Sequence, residues 1–391
     1  MESSHSSILS AVADRFRVEM THHQTRKPQT VSVLESTPEG NKLKIVLPTR
    51  GCSWVYKSGG CSMCGFIALS GYPREPVDSG LLAGRFRTEL SKYRDIRDAF
   101  SLCVFTNGSF LDENEIAPDA RLDILRQIAA CRQVAEVRFE TRPEYVTEDV
   151  LEEISDVLQG KRLQIAIGLE TANDFVRRFC INKGFSYDDF DRAARLVIGR
   201  GQLVVYLVVK PLFLNELEAI GDVVESARAV MEFEGSVAVL SPVNIQPYTV
   251  QQYLWRTRRY RLPWLWSLVE IARQIGQTDS PSHQVRISGF NSIPGPQGLA
   301  HNCGRCDRQM IDALLRFGVD DAKAVAGLDC ECLGRWQTVI REAEQDSPLE
   351  ERLRQAYMQL IQEFDLGEDI ANELPPFQAP ADAHPSYPAG S

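Results

Sequence analysis

The stretch LKIVLPTRGCSWVYKSGGCSMCGF, residues 43–66, joins a short apolar run to a loop that carries three cysteines. Eight residues separate Cys52 from Cys61, and two separate Cys61 from Cys64. Three thiolates on one loop cannot close a tetrahedral zinc site without a fourth ligand, whereas they suit a [4Fe–4S] cluster in which one iron stays open. We therefore predict an iron–sulfur cluster here. The alternative is a zinc loop completed by a distant histidine.

Beyond this loop, short β-branched runs alternate with longer segments of helical periodicity. The runs are 43–47, 102–106, 136–140, 163–169, 203–209 and 237–240, and the helical segments include 122–131, 148–158, 187–198 and 219–233. Strands that alternate with helices indicate parallel βαβ units, so we predict an α/β fold of the partial (β/α)6 barrel type. A doubly wound open sheet is the alternative. In either fold the cysteine loop lies at the carboxyl edge of the sheet, where such proteins carry out chemistry.

The composition restricts the class of protein. The 391 residues include 43 Lys and Arg against 53 Asp and Glu, and this net charge of −10 argues against wrapping nucleic acid over the whole surface. Seven of the ten cysteines fall into two clusters, which indicates metal binding by reduced thiols rather than disulfides. The N-terminal residues lack a basic and apolar signal segment, and the longest apolar run, 203–209, is shorter than the roughly 20 residues of a membrane span. These features predict a soluble cytoplasmic protein.

Four regions are expected along the chain. Residues 1–40 predict an N-terminal helix and a connector, and residues 41–245 predict the core barrel. Residues 246–370 hold an aromatic and basic segment followed by a second cysteine module. Residues 371–391 are rich in Pro, Ala and Ser, a composition that predicts a disordered tail.

The second cysteine cluster consists of a CxxC pair and a CxC pair. Cys303 and Cys306 form the first pair, Cys330 and Cys332 form the second, and twenty-three residues separate them. Two such pairs are a strong metal signal. Four thiolates satisfy either tetrahedral zinc or an auxiliary iron–sulfur cluster, and structural zinc is our first choice.

Residues 251–266 interleave aromatic rings with arginines and contain no acidic residue. The four arginines of this arginine strip are Arg256, Arg258, Arg259 and Arg261. On an acidic chain such a segment is a candidate nucleic-acid-binding strip, in which cations contact phosphates and rings stack on bases. The alternative is that Trp264 and Trp266 anchor the core and the arginines form a solvated face.

Several motifs resemble those of radical S-adenosylmethionine (radical SAM) enzymes, in which three cysteines after the first barrel strand hold the cluster. The wide spacing of the three cysteines resembles the spacing in one branch of these enzymes. That branch contains the elongator-type acetyltransferases and the archaeosine-biosynthesis radical SAM proteins called RaSEA. The resemblance covers about residues 40–340, and its last four motifs narrow it to the RaSEA family. The motifs are TRGC…GGCSMCG, FTNGSFLD, FETRPEY, IGLET, INKGFSYDDF, VVKPLFLNE, SPVNIQPYT, RLPWLWS and NCGRCD…CEC.

This resemblance implies that polar residues at strand ends bind S-adenosylmethionine. The implied cofactor-binding residues are Asn107, Gly108, Ser109, Glu140, Glu170 and Lys183. The turn 107–109 would meet the methionyl amine and Glu140 the amino acid end of the cofactor. Glu170 would meet the ribose hydroxyls, and Lys183 the methionyl carboxylate.

The resemblance also implies an activity, that of a radical SAM lyase of tRNA modification. Its target would be a lysine adduct of 7-cyano-7-deazaguanine in the tRNA D-loop, and cleavage of the lysine C–N bond would leave archaeosine. A lysine-transferring partner of the ArcS type and a reductant for the cluster are implied as well. The alternatives are a radical SAM enzyme for another tRNA base or a small molecule, and a zinc-stabilised RNA-binding protein without radical chemistry.

Overall fold

A computed structural model describes residues 7–23, 29–37, 40–70, 75–276, 285–290, 295–318, 322–367, 370 and 374. Within these ranges the chain alternates strands and helices. The strands are β1 (Val31–Thr37), β2 (Gly40–Val46), β3 (Phe100–Phe105), β4 (Val134–Thr141), β5 (Arg162–Glu170), β6 (Gln202–Val209), β7 (Val237–Pro242) and β8 (Val285–Ile287). The helices are α1 (Ile8–His23), α2 (Ser53–Ser58), α3 (Ile67–Ser70), α4 (Ser79–Ser91), α5 (Pro118–Ala130), α6 (Glu148–Val157), α7 (Asp174–Val176), α8 (Tyr187–Ile198), α9 (Glu216–Met231), α10 (Val250–Arg256), α11 (Leu265–Gly276), α12 (Asp307–Arg316), α13 (Leu333–Ala343) and α14 (Leu349–Glu363).

The strands form one eight-stranded sheet whose spatial order follows the chain from β1 to β8. Strand β1 pairs antiparallel with β2, and each later pair of neighbours is parallel. A doubly wound sheet reverses its strand order at a switch point, and this sheet has no reversal. The predicted partial barrel is therefore confirmed, as a curled half-barrel, and the doubly wound alternative is wrong.

The six predicted strands correspond to β2–β7, and the sheet gains one more strand on each side. Strand β1 lies in the segment expected to be a connector, where VSVLEST is half-exposed along most of its length and therefore lacks the apolar face of a core strand. Strand β8 has only three residues and pairs with β7. The sheet therefore draws strands from outside residues 41–245, the expected core.

Alternation along the strands gives the sheet two different faces. The outer face carries residues such as Leu43, Leu102 and Val137, which pack with the crossover helices into the main apolar core. The inner face is mixed. A small apolar group that includes Ala166 and Val204 adjoins polar side chains at its middle and at the strand ends.

A second apolar core lies beside the carboxyl edge of the sheet. Helices α1, α10 and α14 contribute to it, together with the segments after β5 and β6. The N-terminal helix, which its spacing predicted, packs into this core with α10 and α14. The expected disordered tail, residues 371–391, lies outside the described residues except for Leu374. No helix in the described part of the chain is long and apolar enough to cross a membrane.

Candidate active site

The cysteine loop follows β2 at the carboxyl edge of the sheet and contains the short helix α2. Cys52 immediately precedes α2, and Gly59 ends this helix with a φ of +84°. A side chain at Gly59 would meet the backbone of Ser10 at 2.8 Å, so helix α1 packs directly on the loop. At the other end of the loop, a Cβ on Gly65 would lie 2.7 Å from Gln246 Cβ. Small residues are required at both contacts because backbone segments approach closely.

Helix α1 supports the back of the loop through hydrogen bonds. The guanidinium of Arg17, which is buried, donates to the carbonyl oxygen of Val55 in α2 at 2.7 Å. The Ser7 hydroxyl donates to Asn182 Oδ1 at 2.9 Å. Asn182 in turn donates to two carbonyl oxygens of the loop at 2.8 and 2.9 Å. These contacts fix the path of the backbone between the first and second cysteines.

The three thiols of the loop are half-buried neighbours, and their surroundings disfavour the charged form. Burial raises the pKa of Cys52 to about 11 and that of Cys64 to about 12, and it raises the pKa of Cys61 as well. The charge of a Cys61 thiolate would raise the pKa of the other two further. Thiolates therefore need a compensating cation here, and the irons of a cluster supply that charge.

The spacing of these sulfurs also fits a cluster better than one ion. In the part of the chain that the structure describes, only the four C-terminal cysteines form a group of metal-ligating side chains whose ligand atoms all lie within 4.8 Å of one another. The three sulfurs of the loop do not form such a group. A four-iron cube separates its ligands more widely than one ion does, because each thiolate binds a different iron. The loop sulfurs are therefore not gathered around a single ion, and the three cysteines stay the predicted ligands of the cluster.

The predicted turn 107–109 packs against the first cysteine. Asn107 has a φ of +64°, in the left-handed region that Asn tolerates better than most residues. A Cβ on Gly108 would lie 2.7 Å from both the backbone nitrogen and the Cα of Cys52. The Ser109 hydroxyl accepts a hydrogen bond from the backbone N–H of Arg142 at 3.1 Å. The turn therefore connects the ends of β3 and β4 to the cysteine loop.

Glu115 is a buried acid beneath this turn that the sequence did not single out. Its Oε1 lies 2.5 Å from the Thr49 hydroxyl, which also lies 2.5 Å from the Thr106 carbonyl oxygen and accepts from Gly51 N–H. One hydroxyl has one proton to donate, so these contacts are all satisfied when Glu115 is protonated and donates to Thr49. Burial raises the pKa of Glu115 to about 8, consistent with a neutral acid. Its other oxygen accepts from the Ser109 N–H at 2.5 Å.

The predicted cofactor residues at the ends of β4 and β5 lie close together. Glu170 ends β5 with a φ of +68°, and its Oε1 lies 2.7 Å from Lys183 Nζ. Burial lowers the pKa of Lys183, but the Glu170 carboxylate and the charge of a Cys61 thiolate together raise that pKa above its ordinary value. A Cβ on Gly168 would lie 2.7 Å from the Glu170 carboxylate, so this glycine makes room for the pair. Burial raises the pKa of the nearby Glu140 to about 7.

Arg142 connects these carboxylates with the cysteine loop. It is buried, its guanidinium stacks over the ring of Trp54 with 5.1 Å to the centroid, and it donates to the Lys183 carbonyl oxygen at 2.8 Å. The positive charge of Arg142 lowers the pKa of Cys52 and Cys61, against the effect of burial. The geometry therefore brings the predicted residues 107–109, 140, 170 and 183 to the same edge as the three cysteines.

The four C-terminal cysteines converge on one point. Cys303 Sγ lies 3.7 Å from Cys306 Sγ and 3.8 Å from Cys330 Sγ. Cys306 Sγ lies 3.6 Å from Cys332 Sγ. All four sulfurs lie within 4.8 Å of one another, so the four predicted ligands form one site.

Neighbouring donors stabilise negative charge on these sulfurs. The indole Nε1 of Trp266 donates to Cys332 Sγ at 3.2 Å, and Asn302 Nδ2 donates to Cys306 Sγ at 3.5 Å. Backbone N–H groups of residues 306 and 305 lower the pKa of Cys303 to about 6. Hydrogen bonds of this kind orient metal ligands and tune their basicity. The module therefore has the donor set and the surroundings of a metal centre.

The arginine strip divides into two parts. Arg256 and Arg258 are exposed beside the end of α10. Arg259 forms two hydrogen bonds with the Glu363 carboxylate, at 2.9 and 3.0 Å, and Arg261 stacks over Trp264 with 3.9 Å to the centroid.

The rings of the strip also differ. Trp264 and Trp266 are buried in the main core, at 8% and 1% exposure, as the alternative interpretation expected. Tyr253 and Trp255 remain half-exposed. Only part of the strip is therefore available to a ligand.

Comparisons with known proteins agree with this site. No family model matches the chain. Archaeosine synthase subunit beta from Methanosarcina acetivorans is 34% identical over 334 residues, which cover 83% of this chain and 93% of that protein. The protein of the same name from Thermococcus kodakarensis is 32% identical over 307 residues, covering 77% of this chain and 92% of that protein.

Two solved structures are similar at a lower level. The Elp3 protein of Methanocaldococcus infernus shares 13% identity at a TM-score of 0.46, over 66% of this chain and 63% of that one. Methylornithine synthase (PylB) shares 10% identity at a TM-score of 0.43, over 88% and 90% of the two chains.

A parallel half-barrel with three cysteines after its first parallel strand, together with the similarity to the two archaeosine synthase subunits, identifies a radical SAM enzyme. This class is favoured over an RNA-binding protein without radical chemistry. The chain belongs to the archaeosine synthase subunit beta family.

The close contact between Gly108 and Cys52 leaves no room for a side chain at position 108. In Gly108→Ala, the new Cβ would lie 2.1 Å from the Glu115 carboxylate and 2.7 Å from the Cys52 backbone, so the first ligand must move. We expect this variant to bind less than a tenth of the iron of the wild type after anaerobic reconstitution, measured from absorbance near 400 nm and iron content. The control is Gly84→Ala in α4, where a Cβ meets nothing within 4 Å. Equal iron content in both variants would contradict the prediction.

Proposed function

We propose that this chain is the radical SAM subunit of an archaeosine synthase. It acts on tRNA that carries a lysine adduct of 7-cyano-7-deazaguanine in the D-loop, and cleavage of the lysine C–N bond leaves the amidine of archaeosine. The observation that carries the proposal is the similarity to two proteins named archaeosine synthase subunit beta, over more than nine-tenths of their length. The clustered cysteines supply the chemistry that such a cleavage requires.

In this proposal the cysteine loop holds the cluster and the adjoining strand ends hold S-adenosylmethionine. Cys52, Cys61 and Cys64 would hold the [4Fe–4S] cluster, and the adjoining strand ends would hold the cofactor beside it. When bound, the cluster and cofactor together supply a 5′-deoxyadenosyl radical that abstracts hydrogen from an unreactive carbon. The chain's own residues position the reactants and exclude water.

Each predicted cofactor residue has a role that its surroundings support. The turn 107–109 approaches Cys52 closely enough to meet a ligand of the open iron. Lys183 offers a cation to the methionyl carboxylate, and Glu170 restrains Lys183 until then while remaining within reach of the ribose. Glu140, at the end of β4 and within electrostatic range of both, would meet the amino acid end of the cofactor.

We propose zinc as the metal of the C-terminal module. A tetrahedral ion with Zn–S bonds of about 2.3 Å separates its sulfurs by about 3.8 Å, the edge of the tetrahedron. The separations of 3.6 to 3.8 Å between the sulfurs of this module support a single ion over a second iron–sulfur cube.

The subunit works with partners in this proposal. The relatives are named as subunits, which supports a complex. Because the substrate already carries lysine, a lysine-transferring protein of the ArcS type must act first, and a reductant must supply electrons to the cluster. A tRNA substrate places the complex in the cytoplasm.

We propose that tRNA contacts the exposed part of the arginine strip. Arg256 and Arg258 are exposed, and the half-exposed rings of Tyr253 and Trp255 lie on the same short helix. Arg259 and Arg261 contribute less because each already has a partner within the protein. Exposed cations beside rings are the usual contacts to phosphates and unstacked bases.

The activity is tested by nucleoside analysis. Deleting the gene from its host should abolish archaeosine in total tRNA and leave the lysine adduct, as measured by mass spectrometry. The wild-type gene and Cys131→Ala, a change outside both clusters, should restore archaeosine. The triple variant Cys52→Ala, Cys61→Ala, Cys64→Ala should not. Unchanged archaeosine after deletion would refute the proposed function.

Metal analysis tests the second site separately. The triple variant of the cysteine loop should lose its iron and keep one zinc per chain. Conversely, Cys303→Ser with Cys306→Ser should lose the zinc, because a closed thiolate site rarely survives the loss of two ligands. Iron and sulfide in the C-terminal module, persisting when the loop cysteines are absent, would show an auxiliary cluster instead of zinc.

Arg256→Ala with Arg258→Ala should weaken tRNA binding about tenfold at moderate salt. It should also lower the slope of log Kd against log salt concentration by about two, one for each lost phosphate contact. The measurement is a filter-binding titration at several salt concentrations. The control is Arg162→Ala with Arg192→Ala, which removes two arginines that are 76% and 62% exposed elsewhere. Equal effects of the two double variants would contradict a specific strip.

A further inference from the structure

The inner face of the half-barrel carries a half-buried arginine that contacts no carboxylate of the described residues directly. Arg138 lies on β4 between Cys103 of β3 and Gln164 of β5. Its Nε donates to Gln164 Oε1 at 2.8 Å, and it shares a hydrogen bond with Tyr206. Among the described residues, no carboxylate oxygen lies within 4.0 Å of it, although other arginines on this sheet have such partners. Glu140 acts on Arg138 only over a longer distance. A guanidinium on this partly enclosed face without a directly bound carboxylate points to an anionic ligand.

The surroundings of Arg138 define the shape of that ligand. One wall of the inner face is apolar, with Ala166, Val204 and Val239 in a small cluster beside the Tyr206 ring. Below Arg138, Gln164 donates to Gln202 Oε1 at 2.6 Å and closes the floor with amide groups. The inner face thus suits an aliphatic chain that ends in a small anion.

Arg138 also lies at a defined distance from the predicted cofactor-binding residues. Glu140 lies two residues after Arg138 on β4, on the same face of the sheet. The charges of Glu170 and Lys183 both act on the Glu140 carboxyl. Two residues of a strand span about 7 Å, the order of length of an extended four-carbon chain. A substrate carbon held beside the cofactor would therefore place the far end of such a chain at Arg138.

We propose that Arg138, together with Gln164 and Tyr206, binds the α-carboxylate of the lysine arm of the substrate. The methylene groups of the arm lie along the apolar wall, and the carboxylate pairs with the guanidinium one strand pleat below Glu140. This inference rests on the proposed function and makes Arg138 a specificity-determining residue. An arm without a carboxylate is rejected because it leaves the guanidinium without a directly bound anion.

Two tRNA substrates test the proposal without any mutation. One carries the lysine adduct, and the other carries the adduct of cadaverine, which is lysine without its carboxylate. The wild-type enzyme should show a kcat/KM about 10- to 100-fold lower on the cadaverine adduct, the range expected for losing a hydrogen bond to a charged group. Equal kcat/KM values on the two substrates would overturn the proposal.

Variants of Arg138 test whether this residue binds the carboxylate. Arg138→Gln should lower kcat/KM on the lysine adduct by a similar factor and abolish the preference between the two substrates, while Arg138→Lys should recover part of it. Arg162→Gln, an exposed change at the start of β5, should match the wild type. Cofactor cleavage without tRNA, read as 5′-deoxyadenosine, should be unchanged in Arg138→Gln.

Three outcomes would overturn the assignment of Arg138. Equal losses on both adducts would show a structural role, weaker cofactor cleavage would place Arg138 in the cofactor site, and a retained preference in Arg138→Gln would assign the carboxylate to another residue. Absence of turnover by the wild type on the lysine adduct would refute the proposed function itself, and the inference with it. The two failures are therefore distinguishable.

Discussion

The close packing of the turn 107–109 against the backbone of Cys52 is the contact on which the rest of the site depends. It brings the end of β3 against the loop after β2, and it leaves no volume for a side chain at Gly108. The three thiols then lie in surroundings that disfavour their charged form, so the site is complete only with a cation. Further charged side chains lie at the ends of β4 and β5. Arg142 donates to the Lys183 carbonyl oxygen, and Lys183 pairs with Glu170.

The two cysteine clusters of the chain differ in how they surround a cation. The C-terminal module supplies four sulfurs at the spacing of one ion and surrounds them with N–H donors. The cysteine loop supplies only three sulfurs, which do not form such a compact group, and in the proposed cluster the fourth position is free for chemistry. The first arrangement is closed and suits a structural role, and the second is open and suits a reaction.

Much of this could be predicted from the sequence, because spacing and periodicity are local properties. The loop cysteines, the strands β2–β7 and the paired C-terminal cysteines all follow from residues that lie near one another in the chain. Strand β1 could not be predicted, because its side chains are half-exposed and lack an apolar face. Glu115 was hidden within LDENEIAP, which resembles a solvated acidic segment, and its burial depends on Thr49 and Ser109 from other parts of the chain. The arginine strip was only partly informative, since the partner of Arg259 is more than a hundred residues away.

The support of the cysteine loop by helix α1 has a consequence for the order in which the protein matures. Helix α1 precedes the cysteine loop in the chain, yet Ser7 bonds with Asn182, and the same apolar core includes Tyr357 of α14, whose hydroxyl donates to the Phe179 carbonyl oxygen. The back of the loop is therefore assembled from segments that lie before the loop and far after it. The nascent protein can expose three free thiols on the ribosome, but the rigid cradle for iron exists only after translation has passed α14.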